Sequence, residues 1–311
     1  MDVTRPRQSR KNNIIKQIRR DKYLLLLILP GLLFLFLFKY LPMGGIVIAF
    51  KEYSIHKGIW QSPWVGLDNF RKVFASSDFL IVLRNTIFIS LYKLIYGFPA
   101  PLVLSLILNE VKSNYFKRSV QTIIYMPHFI SWVVIAGIML SILSPTYGIA
   151  GEILKLLNMN PIVLMASKSH FRALLVISNI WKEAGWGTII YLAAISTIDP
   201  NLYEAAIVDG SNKLKRIWYV TLPCLSGVIV LILIINIGNL MNAGFEQIMI
   251  MQNDLVRPVS DVFETYVFRR GLQRGDYSFS TAMDLFKSLV ACILVYSADK
   301  VAKRIGEEGL L

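Results

Sequence analysis

The side chains best suited to chemistry in this 311-residue sequence are amides and flat aromatic rings rather than nucleophiles. Asn85, Tyr125, His128 and Trp132, then Trp181, Glu183, Trp186 and Tyr191, then Asn236, Asn239, Asn242, Glu246 and Gln247 lie in or beside long apolar runs. Amides and carboxylates exchange hydrogen bonds with hydroxyl groups, and indole or phenol rings present a face to the apolar side of a hydroxylated ring. The same residue types also anchor segments at membrane surfaces and join helices to one another, so each position has a packing reading beside its binding reading.

Catalytic and redox patterns are missing. The sequence holds no GxxxxGK[ST] phosphate loop and no HExxH, GxSxG or GxGxxG, so neither nucleotide binding nor hydrolysis is expected of this chain by a familiar route. His56, His128 and His170 stand apart from one another and from cysteine, and read as polar anchors rather than metal ligands. Cys224 and Cys292 lie in apolar runs without CxxC spacing and read as small buried hydrophobes. The net charge of +13 is not gathered on one soluble face, which argues against nucleic acid as a partner.

The elements that must position these residues are membrane helices. With 55% hydrophobic and 17% charged residues, the chain is too apolar for a soluble domain. Runs of spanning length are predicted near residues 23–50, 80–108, 118–144, 172–198, 223–244 and 281–303. They are continuous rather than alternating, which selects helices over a barrel, so the predicted class is an all-α membrane protein of six spans. Pro30 and Pro42 mark kinks or breaks in the first. Gly185 and Gly187 read as close-packing positions in the fourth. Charges within spans are costly, and three stand out: Lys93, expected to snorkel to an edge, and Asp284 with Lys287, expected to pair. The segments 51–79 and 245–279 are long enough to contact something outside the membrane.

Basic residues set the orientation. Residues 1–22 carry eight Lys and Arg, and Lys112, Lys117, Arg118, Lys213, Lys215, Arg216, Lys300, Lys303 and Arg304 fall on the same side. Both termini are therefore expected in the cytoplasm, with 1–22 a retained basic tail, 23–303 the transmembrane domain and 304–311 a second tail. That side also holds residues 199–222. There Asp199 can cap a helix with Pro200 at its first position, Asn201 to Val208 continue it, and Gly210 stops it. Ser211 is expected to cap a second short helix bearing Lys213, Lys215 and Arg216, before Pro223 opens the fifth span. A short helix with Glu204, Ala205, Ala206 and Asp209 displayed to the cytosol suits a groove on another protein.

The spacing Glu204-Ala205-Ala206, three residues, Gly210, nine residues, then Val220-Thr221-Leu222-Pro223 resembles the signature loop of permease subunits in binding-protein-dependent ABC importers, departing only in Val220 for isoleucine. "FKYLPMGGIVIAFKEYS" (38–54), "SPWVGLDNF" (62–70), "FKRSVQTIIYMPHFISWVV" (116–134) and "GFEQIMIMQN" (244–253) resemble the alginate and pectin oligosaccharide branch of that family. The resemblance implies a type I importer permease in a bacterial cell membrane, with Glu204 to Gly210, Leu222 and Pro223 coupled to a separate ATPase. It implies a second homologous permease, two ATPase subunits carrying ATP and Mg, an extracytoplasmic sugar-binding protein and an oligosaccharide substrate, with no cofactor on this chain. A stand-alone secondary transporter or channel would need an inverted repeat and a relay of buried carboxylates, neither of which is evident. An ABC permease for a non-sugar solute is the other alternative.

Overall fold

The computed structural model describes residues 20–156, 163–306 and 309, so most of the basic tail at 1–22 and half of the tail at 304–311 lie outside the described residues. Among the described residues the chain is helical, and an isolated bridge joins Lys51 to Trp64. The principal helices are α1 (Lys22–Phe50), α2 (Asp68–Ala75), α3 (Ser77–Asn109), α4 (Asn114–Phe129), α5 (Trp132–Ile142), α6 (Phe171–Ser196), α7 (Pro200–Val208), α8 (Lys213–Met241), α9 (Phe245–Met251), α10 (Phe263–Val267) and α11 (Tyr277–Arg304).

Four of these, α1, α3, α8 and α11, are long and apolar enough to cross a membrane. α4 and α5 qualify as a fifth span only as a pair bent by 102°. The run predicted at 118–144 is thus broken rather than straight. Pro127 removes an N–H there, and Ser131 starts the second helix by accepting from the Val134 N–H at 3.4 Å. α6 supplies the remaining predicted span, 26 residues long, with Lys182 and Glu183 interrupting its apolar surface.

Proline is accommodated in a repeated way. α1, α3 and α8 each contain a π-turn, Phe36–Tyr40, Lys93–Gly97 and Ile217–Thr221, and each turn ends two residues before a proline, Pro42, Pro99 and Pro223. A proline ring collides with the carbonyl four residues earlier, and widening that turn by one residue relieves the collision. α1 runs on through Pro30, and through Pro42 by way of its π-turn, where kinks or breaks were expected. α8 begins ten residues before Pro223 and absorbs the short basic helix predicted as separate.

The predicted external segment 245–279 folds back onto the spans. Ile248, Met251, Val256 and Val262 join Ile89, Trp132, Ile135, Phe171 and Leu175 in one core, while Phe263 and Tyr266 join Val73, Val82, Phe279 and Met283 in another. Asn85, fully buried, ties this segment down: its amide donates to the Pro258 and Asp261 carbonyls at 3.2 and 3.1 Å, and its oxygen accepts from Arg172 at 2.8 Å. Asp284 and Lys287 pair at 3.3 Å, as expected, and Glu264 joins them 3.7 Å from the ammonium. Both cysteines are exposed on the isolated chain, not buried, because each points outward from an apolar span.

Candidate functional site

α3, α6 and the end of α8 enclose a cavity of about 390 Å³. α3 contributes Ser90, Lys93 and Pro101, α6 contributes Asn179, Glu183, Trp186 and Tyr191, and α8 with the following turn contributes Asn236, Asn239, Asn242 and Gly244. Glycine allows α3 and α6 to meet: a Cβ at Gly187 would lie 2.8 Å from Pro101 Cγ. The lining has unmet hydrogen-bonding capacity. Ser90 Oγ and Tyr191 Oη are buried without a hydrogen-bond partner, which native interiors rarely tolerate unless another group reaches them.

Lys93 does not snorkel to an edge. The π-turn places its half-buried ammonium against the cavity wall, where it donates to the Ala243 carbonyl at 2.7 Å and to Gln247 Oε1 at 2.5 Å. Gln247, buried, is itself fixed by donating to the Leu175 carbonyl and to Ser178 Oγ at 2.7 and 2.8 Å. Gly244 makes this contact sterically feasible, since its φ is +98° and a Cβ there would lie 2.7 Å from Lys93 Nζ.

Three residues of α6 clasp the break between α4 and α5. Lys182 donates to the His128 and Ile130 carbonyls at 2.6 and 2.7 Å and to Pro127 at 3.4 Å, placing a cation where carbonyls lose their helical donors. Glu183 bonds His128 Nδ1 at 2.9 Å. Trp186 stacks on the His128 ring, 4.5 Å between centroids and 4° from parallel, while also lining the cavity. Replacing Lys182 by Met leaves these carbonyls without their charged donor, an expected loss of about 1.5–3 kcal/mol. A thermal melt of the purified complex should show a lowered midpoint, and an unchanged melt would mean that the break does not depend on this clasp.

The candidate coupling loop at residues 199–222 is separate from the cavity. Asp199 caps α7 by accepting from the Asn201 N–H at 2.9 Å, as its position before Pro200 suggested. Gly210 ends the helix at φ +74°: the Gly210 and Ser211 amides reach back to Ile207 and Ala206 at 3.0 and 2.9 Å, the paired bonds of a Schellman ending. The next helix is capped by Asn212, not Ser211, because Asn212 Oδ1 accepts from Lys215 N–H at 2.9 Å. Glu204, Ala205 and Asp209 are exposed and Ala206 is half-buried. Tyr203 Oη lies 3.0 Å from Thr221 Oγ1, which ties α7 to the π-turn of α8, and Lys213 pairs with Glu110 at 3.2 Å, which ties the start of α8 to the end of α3. Leu222 and Pro223 follow directly.

Of the thirteen residues singled out from sequence, Glu183, Trp186, Tyr191, Asn236, Asn239 and Asn242 line the cavity, whereas His128 belongs to the clasp and Trp181 is exposed outside the cavity. Asn85, Trp132 and Gln247 are buried in packing, Tyr125 hydrogen-bonds Thr188 Oγ1 at 3.4 Å, and Glu246 is exposed outside the cavity. Lys182 and Asn179 were missed. The adjacent charges Lys182 and Glu183 inside an otherwise apolar run were the available signal for the first, whereas Asn179 carries no distinguishing pattern.

Comparison with known proteins agrees with this architecture. The chain is 46% identical over 293 residues to Protein LplB of Bacillus subtilis (strain 168), covering 94% of this chain and 92% of that one. It is 44% identical over 304 residues to the polygalacturonan/rhamnogalacturonan transport system permease protein YteP of the same organism, covering 98% and 94%. A chain of the crystal structure of a bacterial alginate ABC transporter, in complex with an alginate pentasaccharide-bound periplasmic protein, superposes with a TM-score of 0.87 at 38% identity, over 95% of this chain and 99% of the other. These likenesses favour a permease over a stand-alone transporter or channel and over an enzyme. Residues 79–306, which include the cavity, the clasp and α7, match the binding-protein-dependent transport system inner membrane component, and the chain belongs to that family.

Proposed function

We propose that this chain is one of two homologous permease subunits of an ATP-driven oligosaccharide importer, and that its cavity forms part of the sugar's path. The observation that carries the reading is the convergence, in about 390 Å³, of the Trp186 face, the Asn236, Asn239 and Asn242 amides and the unpartnered Ser90 and Tyr191 hydroxyls. Stacking suits the apolar face of a pyranose and the amides and hydroxyls suit its rim. The volume falls within the ordinary range of ligand sites, roughly 300–1,000 Å³. YteP and the alginate transporter, named for polygalacturonan/rhamnogalacturonan and for alginate, support a polysaccharide-derived cargo.

Energy enters from elsewhere. Glu204, Ala205, Ala206, Asp209 and Gly210 present α7 to a groove on one of two ATPase subunits, which carry ATP and Mg, while Leu222 and Pro223 join it to α8. An extracytoplasmic binding protein delivers the sugar from the opposite side. The distribution of basic residues supports cytoplasmic termini and insertion in a bacterial inner or cytoplasmic membrane.

Trp186→Ala tests the path. In vesicles holding the complete importer, uptake of a labelled oligogalacturonide should fall about 2- to 12-fold, the equivalent of a lost stacking face. Trp186→Phe should retain most of it. Wild-type uptake by Trp186→Ala, at normal subunit stoichiometry, would assign the indole to the His128 clasp alone.

A further inference from the structure

Lys93 is a cation whose direct hydrogen-bond partners are neutral, with the Glu264 and Glu183 carboxylates acting on it from farther away. It sits on a membrane-spanning helix, yet among the described residues no carboxylate approaches it within 4.0 Å; its two hydrogen-bond acceptors, the Ala243 carbonyl and Gln247 Oε1, are neutral. An ammonium has three donors, so one proton is uncommitted. An intramembrane cation is costly, and Glu264 and Glu183, near enough to act on Lys93 electrostatically, offset part of that cost without taking up the third donor.

The surroundings hold that proton at the cavity. Gln247 is immobilised by its bonds to Leu175 and Ser178, and Gly244 leaves the space that the ammonium occupies. On the same lining, Asn239 and Asn242 offer neutral amides and Trp186 a ring face. The cavity's other charge, Glu183, is held by His128 on the clasp. A hydroxylated ring against Trp186 with a carboxylate substituent directed at Lys93 would match each wall in kind.

We propose that Lys93 is a specificity-determining residue that recognises the carboxylate of a uronate-containing oligosaccharide, as a point charge held in register by Gln247. The proposal rests on the reading of the cavity as an oligosaccharide path and adds the charge of the cargo and the residue that reads it.

The test measures binding to the complete importer in detergent, without the binding protein, by equilibrium dialysis of labelled trigalacturonate and of its fully methyl-esterified form. Wild type should favour the acid by at least about tenfold, as expected for a charge-assisted bond. Lys93→Gln should bind both forms alike, near the wild-type affinity for the ester, and Lys93→Arg should retain a preference for the acid. A Lys93→Gln importer that still prefers the acid as strongly as wild type, or a wild type that does not distinguish the two, overturns the assignment while leaving the sugar path standing. Loss of both forms by Lys93→Gln, with both kept by Lys93→Arg, would make Lys93 a structural tether and also overturn it. Binding of neither form by wild type would refute the oligosaccharide reading, and the proposal with it.

Discussion

Gly210→Val is expected to abolish or uncouple uptake in an importer that still assembles. The residue sits at φ +74°, and a Cβ there would meet nothing within 4 Å, so the penalty is in the backbone and not in packing. A β-branched residue held in that region costs about 1–3 kcal/mol. The chain can avoid this by giving up the Schellman bonds from Gly210 and Ser211 to Ile207 and Ala206, which changes how α7 leaves for α8. α7 would then no longer transmit a partner's movement through Tyr203 to Thr221 and the π-turn. A coupling loss of that size corresponds to about 5- to 150-fold. Uptake and binding-protein-stimulated ATP hydrolysis in vesicles separate the outcomes: uptake should fall while some hydrolysis continues. Gly210→Asn, which tolerates a positive φ, should retain most function. Normal coupling in Gly210→Val would remove α7 as the transmitting element.

Gly185→Ala should have the larger effect on folding. A Cβ at this position would fall inside the Ile124 carbonyl group, on the α4 backbone, which cannot swing aside as a flexible side chain can. α6 would have to withdraw from α4, and with it Lys182, Glu183 and Trp186 from the clasp on residues 127–130. Overpacking costs about 1–3 kcal/mol and occasionally more. The thermal midpoint and yield of assembled importer should drop well beyond those of Gly97→Ala, where the added Cβ would meet only Ile180 Cγ1 at an ordinary 3.8 Å. Equal behaviour of the two variants would show that α4 and α6 are not held at this distance.

How much of this was readable from sequence depended on whether the cause was local. The caps of α7 were legible because Asp199, Pro200 and Gly210 act on backbone within a few residues of themselves. The spans were legible because hydropathy integrates over their length, though not where each begins: the charges of Lys213, Lys215 and Arg216 hid a helix that continues through them into α8. The fold-back of 245–279 was not legible. Its helices are four to seven residues long, too short to form alone, and exist through partners such as Asn85, Leu175 and Ser178 that are remote in sequence. The same remoteness sent Asn85 and Gln247 to packing rather than to the path. An amide's type announces that it will bond, and only the fold decides whether the partner is a helix or a sugar.

The central claim, that this chain passes oligosaccharide under the control of a separate ATPase and a binding protein, is tested most directly by reconstitution. Vesicles containing this permease, its sibling and the ATPase subunits would receive labelled oligogalacturonide and binding protein on one side and ATP with Mg on the other. Accumulation against a gradient is predicted when all are present, and its loss when either the ATP or the binding protein is omitted. Accumulation by this chain alone, driven by a proton or sodium gradient without ATP, would contradict the account.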